Sequence, residues 1–349
     1  MYTPKFTISY SILKNVATIE ACKEVITNAP LIPQWEAKFR HEALVRTVYH
    51  GTHIEGNNLT YTEAQAIIEG KKVAGRERDI QEIINYRNVL KYIEEAYKNR
   101  EKPITEETVK DIHKLTVARI LPFEQSGVYR KEQVVVKNSK TGEVSFRPPN
   151  AIEVSHLVSD FCAWVNSAEA KELSPVLRSG ITHYEITRIH PFLDGNGRTA
   201  RAIATLVLYK EGYDIRKFFS LEEYFDKNSF GYYQALQSVS HENKDLTHWL
   251  EYFSTGLALE LTRMKERVQR LSVDLKLKEK WGGQIALSER QIKLLEFVQR
   301  NGSITNKDWK DLLPMVSDDT VLRDLKDLMK KKIIKKKGTT KKAAYELRQ

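Results

Sequence analysis

His190-Pro191-Phe192-Leu193-Asp194-Gly195-Asn196-Gly197-Arg198-Thr199-Ala200-Arg201 is the stretch on which the chain turns. Residues 173–186 before it follow a helical pattern, and residues 202–209 after it are apolar nearly all round. A polar loop between two helices of that kind needs a function. Gly195 and Gly197 allow positive φ and close backbone approach. Successive backbone N–H groups in such a turn form an anion-binding nest. The following helix adds free N–H groups and the positive end of its dipole. Arg198 and Arg201, three apart, fall on one side of its first turn. The loop is therefore suited to a polyphosphate. Asp194 is the candidate Mg²⁺ ligand, because Mg²⁺ takes one or two carboxylates together with phosphate oxygens. His190, whose kind titrates near neutrality, is the candidate general base. An EF-hand starting at Asp194 fails, since Arg198 takes a ligand position and Thr205 stands where the bidentate Glu belongs. A Walker loop fails for want of Gly-Lys-Ser/Thr.

The dodecamer resembles the signature of the Fic family, His-x-Phe-x-(Asp/Glu)-Gly-Asn-Gly-Arg-x-x-Arg, at every fixed position. The resemblance implies a mainly α fold: an all-helical Fic core with a β-hairpin flap. It implies transfer of AMP from ATP to a Ser, Thr or Tyr hydroxyl of a target protein. His190 would deprotonate the hydroxyl and Asp194 would hold Mg²⁺. Gly195, Asn196 and Gly197 would line the anion hole, Arg198 and Arg201 would hold the β- and γ-phosphates, and Phe192 would anchor the loop in the core. The runner-up within enzymes is another transfer from the same site, such as UMP or phosphate; the phosphate-transferring Doc branch carries Lys where this chain has Gly197, which disfavours phosphate. The second class is a DNA-binding regulator whose core senses nucleotide, and the intact His190 speaks against it.

Composition sets the outer limits. The chain has 349 residues and a formal net charge of +10, enough length for two or three domains and a bias toward acidic partners. Cys22 and Cys162 are the only cysteines. With no 18-residue apolar run and no signal-peptide pattern, the expectation is a reducing, cytoplasmic setting and no membrane partner.

Outward from the motif, residues 5–9 alternate as a short strand, and residues 11–28 and 33–50 read as helices. Gly56 ends the second, and Thr60 or Thr62 opens the next. Ile54-Glu55-Gly56-Asn57 resembles the family's inhibitory motif, (Ser/Thr)-x-x-x-Glu-(Gly/Asn), in which the glutamate pairs with the second motif arginine. This places the chain in the N-terminally inhibited class, with Glu55 on Arg201. Gly51 stands where that motif has Ser or Thr, and Thr52 is one place late. The same glutamate assists AMP removal in some relatives, so reverse activity and self-modification are further expectations.

Residues 79–98, 105–117 and 152–168 read as helices. Residues 133–137 and 143–147 read as strands around Asn138-Ser139-Lys140-Thr141-Gly142; the resemblance makes this hairpin the flap that pairs with an extended target segment. Tyr232 and Tyr233 lie in a helical stretch over 221–240, and the resemblance assigns Tyr233 to the nucleotide base. A long helix over 245–278 ends at Trp281-Gly282-Gly283. Three helices, opened by Ser288, Thr305 and Ser317, and a hairpin over 333–347 carrying Lys335, Lys336, Lys337, Lys341 and Lys342 then make a winged helix-turn-helix (α+β) pattern. Thr320, Arg323 and Lys326 project from its third helix, a surface suited to phosphate contacts with DNA. The domains are thus 1–100 (helical region with the inhibitory helix), 101–275 (catalytic core) and 286–349 (winged helix). Expected partners are a hydroxyl-bearing protein, DNA through 286–349, and ATP with Mg²⁺, with a homo-oligomer among the forms open to the chain.

Overall fold

The computed structural model describes residues 2–29, 31, 33–137, 144–280, 287–338 and 343–348. The flap loop 138–142, the break at Trp281-Gly282-Gly283, and Lys341 and Lys342 lie outside the described residues. Two compact units divide the chain, residues 1–272 and 273–349. Residues 1–100 and 101–272 share one apolar core, so the Glu55 segment and the motif are built into the same body.

The first unit is helical. Its N-terminal half comprises α1 (Tyr10–Asn28), α2 (Pro33–His53), α3 (Tyr61–Ile68), α4 (Glu77–Ala96) and α5 (Glu106–Thr116). Then come β1 (Val136–Lys137), β2 (Val144–Phe146), α6 (Val154–Val165), α7 (Ala168–Glu172), α8 (Pro175–Ile189) and α9 (Asn196–Lys210). Helices α10 (Leu221–Lys227), α11 (Ser229–His241) and α12 (Thr247–Lys280) follow. Caps fix several starts. Thr60 and Glu63 form a capping box on α3, which settles the choice between Thr60 and Thr62. Thr105 caps α5, and Pro175 sits at the start of α8, where its missing N–H costs nothing.

Helices α8 and α9 pack together at the centre. Nearly every residue of both is buried, which explains why their sequence shows weak helical periodicity. Helices α2, α4 and α5 pack on α9, and α6 on α8.

Two expectations differ from the structure. Residues 5–9 form a single bridge, Lys5 with Asp245, because among the described residues no strand lies alongside; the segment is tied to the start of α12 by Leu246 N–H on Lys5 O (2.8 Å) and Thr7 N–H on Thr247 Oγ1 (2.8 Å). The helical stretch over 221–240 is divided into α10 and α11, since Asn228 leaves the helical region and turns its side chain to accept from Gly231 N–H at the start of α11. Strands β1 and β2 are antiparallel, with Val136 opposite Phe146.

The second unit has its own core around Leu294, Trp309, Leu325 and Tyr345. It contains α13 (Glu289–Asn301), β3 (Ser303–Ile304), α14 (Asn306–Leu312), α15 (Asp318–Lys330), β4 (Ile334–Lys337) and β5 (Ala344–Leu347). The sheet has the order β3-β5-β4, all antiparallel. Strand β3 falls where the sequence gives only a turn at Gly302-Ser303; two residues are too few to show alternation.

Candidate functional site

The loop begins where α8 runs out. His190 takes a left-handed conformation, φ 51° and ψ 58°, uncommon for a residue other than glycine. Its Nδ1 lies 3.4 Å from Thr187 O, a geometry that puts the proton on Nδ1 and leaves Nε2 as the acceptor. Burial lowers the His190 pKa below the ordinary histidine value, against opposing contributions from Thr187 O, Glu55 and Asp194; Arg130 also lowers it. The ring is therefore neutral at neutral pH, as a base must be.

Asn196 closes the loop rather than facing out of it. Its side-chain oxygen accepts from Phe192 N–H (2.9 Å) and its amide donates to Phe192 O (2.8 Å). Gly195, at φ 76°, gives its N–H to Asp194 Oδ1 (2.6 Å). The N–H groups of Asn196, Gly197 and Arg198 then open α9 with no intrahelical acceptor. Phe192 is fully buried and stacks face to face on His113 of α5, ring centroids 3.6 Å apart.

That histidine is a functional residue the sequence reading missed. His113 Nε2–H donates to Asp194 O (2.9 Å), while Nδ1 accepts from Gly127 N–H (2.9 Å). Burial pushes its pKa down to about 4, so it stays neutral and keeps both bonds. The only sequence signal is a histidine on the buried face of a helix.

Each charged group of the loop is already paired, and each has a partner on α4 or in the turn just after α2. Arg201, 2% exposed, donates from Nη2 to Gly51 O (2.8 Å) and meets Glu55 Oε1 at 2.8 Å. Arg198, also 2% exposed, has Nη1 3.0 Å from Glu82 Oε1, without the alignment of a hydrogen bond. Asp194 Oδ2 lies 2.5 Å from Arg78 Nη2, and Oδ1 lies 3.6 Å from Arg198 Nη2. Burial works to raise the Asp194 pKa, but Arg198, Arg78 and Gly195 N–H together bring it below the ordinary aspartate value. Arg78 and Glu82 are visible in the sequence only as charges on an amphipathic helix.

Gly51 explains the departure from the inhibitory motif. A Cβ at 51 would stand 2.5 Å from the Tyr86 ring, whose hydroxyl is committed to Glu222. Ser or Thr does not fit there, and the backbone carbonyl serves Arg201 instead. Thr52 does not replace the missing hydroxyl, because its Oγ1 donates to Val48 O and Tyr49 O.

Among the described residues, Nε and Nη1 of both arginines are buried without hydrogen-bond partners, Arg198 Nη1 having only its ion pair with Glu82. Orphaned donors of this kind cost free energy and are retained where a ligand satisfies them. Four guanidinium nitrogens beside a helix N-terminus fit phosphate oxygens. Among the described residues no group of three or more His, Cys, Asp or Glu could cage a metal alone. The single carboxylate of Asp194 instead fits Mg²⁺ that arrives with phosphates. Any Cβ at 197 would collide with the Glu55 carboxylate, so that carboxylate lies directly over the nest. Tyr233, on α11, is 45% exposed and its hydroxyl reaches Ile54 O (3.4 Å), beside the Glu55 turn; Tyr232 is buried on His183. Cys22 and Cys162 are buried and free. Among the described residues no helix is long and apolar enough to cross a membrane.

A family model described as "Fic/DOC family" matches residues 103–208. The protein adenylyltransferase Fic of Aedes aegypti is 34% identical over 174 residues, which are 49% of this chain and 33% of that protein. The protein of the same name from Nematostella vectensis is 29% identical over 189 residues, 53% of this chain and 42% of that one. The chain thus spans well under half the length of these curated relatives. Two solved structures share the fold. A Fic family protein from Desulfovibrio desulfuricans G20 superposes with a TM-score of 0.66 at 24% identity, over 99% of this chain and 98% of that one. Fic-1 of C. elegans gives 0.61 at 22% identity, over 76% and 73%. Residues 103–208 carry a Fic domain.

Proposed function

We propose that this chain is a protein adenylyltransferase, held in check by Glu55. One observation carries the reading: a neutral histidine with a free Nε2 stands at one end of a loop whose other end gathers buried, unsatisfied guanidinium donors at a helix N-terminus. Relatives named protein adenylyltransferase Fic are 33–34% identical over 174 residues, 49% of this chain.

In the proposed reaction Arg198 and Arg201 hold the β- and γ-phosphates of ATP, and the N–H groups that open α9 hold the inner phosphates. His190 Nε2 takes the proton from the target hydroxyl as its oxygen attacks the α-phosphorus. The bond from that phosphorus to the bridging oxygen breaks, AMP stays on the protein and pyrophosphate leaves. Asp194 would hold Mg²⁺, whose part is to neutralise charge on the phosphates. The γ-phosphate and the Glu55 carboxylate compete for the same guanidinium, which is the basis of the restraint.

The test incubates wild type, Glu55→Gly and Glu55→Gly/His190→Ala with ATP and Mg²⁺ and reads intact masses with and without added cell protein. One AMP added by Glu55→Gly, little by wild type and none by the double variant, is the expected result. Absence of AMP on every protein in all samples refutes the reading. A second reading concerns residues 286–349. Arg323, Lys326 and Lys330 form an exposed basic row on α15, with Lys336 on β4, which favours nucleic-acid phosphates. Salt-dependent retardation of a DNA duplex, lost in Arg323→Ala/Lys326→Ala, supports it, and no retardation removes it.

A further inference from the structure

Arg130 lies outside the motif, yet it donates to three successive carbonyls where α8 gives way to the loop, those of Ile189, His190 and Pro191. Its side chain is 3% exposed, and among the described residues no carboxylate pairs with it. A buried guanidinium without a counter-ion is costly unless its donors are satisfied. Here they are satisfied by backbone carbonyls alone. Nε donates to His190 O (2.9 Å) and Nη2 to Ile189 O (3.4 Å). These are carbonyls at the C-terminal end of α8, where a helix has unpaired acceptors and a negative dipole end that favours a cation. Nη1 donates to Glu132 O (3.2 Å) and Nη2 also to Pro149 O (2.6 Å). These belong to the two stems of the β1–β2 hairpin. The backbone N–H of Arg130 adds a bond to Pro191 O (2.9 Å).

One planar side chain therefore grips both stems of the hairpin and the backbone of the base. The grip falls on the left-handed residue, whose conformation persists only when its surroundings over-determine it. Lysine cannot substitute, because an ammonium on a flexible stem does not present a rigid fork of donors in a plane.

We infer that Arg130 is a positioning residue that sets the hairpin and His190 in register with one another. The inference rests on the adenylyltransferase reading for its consequence. If the hairpin seats a target segment, the distance from the target hydroxyl to His190 Nε2 is fixed through this guanidinium. Arg130 touches neither phosphate nor hydroxyl in that scheme. Its loss should spare nucleotide binding and spoil the choice of acceptor, so that water takes AMP where the target hydroxyl did before.

The experiment places Arg130→Lys and Arg130→Gln in the Glu55→Gly protein. Three quantities are read: amide exchange at residues 130–133 and 189–192 against the α9 core, ATP affinity, and the ratio of AMP transferred to protein over AMP released to water. Exchange at the two loop segments should quicken about tenfold or more in both variants while α9 is unchanged. ATP affinity should stay within about twofold, and the ratio should fall about tenfold. A role confined to stability predicts something else: α9 exchange quickens in step, and the ratio holds as total activity drops. That pattern, or unchanged loop exchange, overturns the inference. If the Glu55→Gly parent transfers no AMP at all, the adenylyltransferase reading fails there, before Arg130 is altered, and the exchange data alone decide whether the guanidinium holds hairpin and base together.

Discussion

Replacing Glu55 by glycine removes one carboxylate from one guanidinium, so the expected gain in ATP affinity can be worked from that pair. Glu55 Oε1 lies 2.8 Å from Arg201 Nη2; the arginine side chain is 1% exposed and the glutamate 30%. A hydrogen bond to a charged group contributes about 1.5–3 kcal/mol. The partial exposure of the carboxylate argues for the middle of that range, about 2 kcal/mol, and hence for ATP binding about 30-fold tighter. Arg201 stays oriented after the change, because its bond to Gly51 O does not depend on Glu55. Glu55→Gln keeps an acceptor but not the charge, and it should recover only about fivefold, close to half of the free energy. Titration calorimetry with a non-hydrolysable ATP analogue and Mg²⁺, at fixed ionic strength, measures both. A Glu55→Gly protein that binds the analogue within twofold of wild type would refute the competition argument, and with it the reading of Glu55 as a restraint.

Arg78→Ala should free Asp194 and lower the Mg²⁺ concentration at the midpoint of the Mg²⁺-induced thermal shift, measured with the ATP analogue present. The Arg78 side chain is 54% exposed, so the effect is about two- to fivefold, as for an exposed pair worth up to about 1 kcal/mol; an unchanged midpoint counts against the pair as a competitor. Acid should weaken the fold through His113. Its folded pKa is depressed to about 4 against an unfolded value of about 6.5, so the stability it supplies is complete above about 6.5 and lost as pH falls toward 4. The difference is about 3 kcal/mol. Denaturant titrations at pH 7 and 4.5 should show a smaller loss for His113→Gln than for wild type, and equal losses would assign the acid sensitivity elsewhere.

What could be read from the chain, and what could not, divides by distance. The residues from His190 to Arg201 act as a local motif, so their roles follow from spacing along one turn and one helix start. The pairing of Glu55 with Arg201 was legible only through the family resemblance of Ile54-Glu55-Gly56-Asn57, since the residues alone read as a capped helix end. Arg78 and Glu82 were not, because charges on an amphipathic helix read as a solvated face until the fold carries them over 100 residues to the loop. Arg130 and Gly51 were hidden more deeply. Both act on or through backbone carbonyls, which every residue has and no side-chain pattern marks. Asn196 shows the converse: its place in the motif points outward to phosphate, while its side chain turns inward to hold Phe192. At the level of elements, caps such as Thr60 and Thr105 located helix starts well. Residues 5–9 and 303–304 defeated the pattern, since a strand that short is defined by its partner.

The three pairs that cover the loop differ sharply in their contact with water, and that difference gives them an order. Arg201–Glu55 and Arg198–Glu82 have arginine side chains of 1% and 3% exposure, whereas in Arg78–Asp194 the side chains are 54% and 33% exposed. Mobile ions screen charges that face solvent and leave buried ones almost untouched, with a Debye length of about 8 Å at physiological salt. Rising ionic strength therefore loosens the covering from its outer edge inward, releasing the carboxylate that would hold Mg²⁺ while Glu55 stays on Arg201. On the function proposed above, the loop is closed by one latch that answers to salt and two that would answer to a phosphate competing for the same nitrogens.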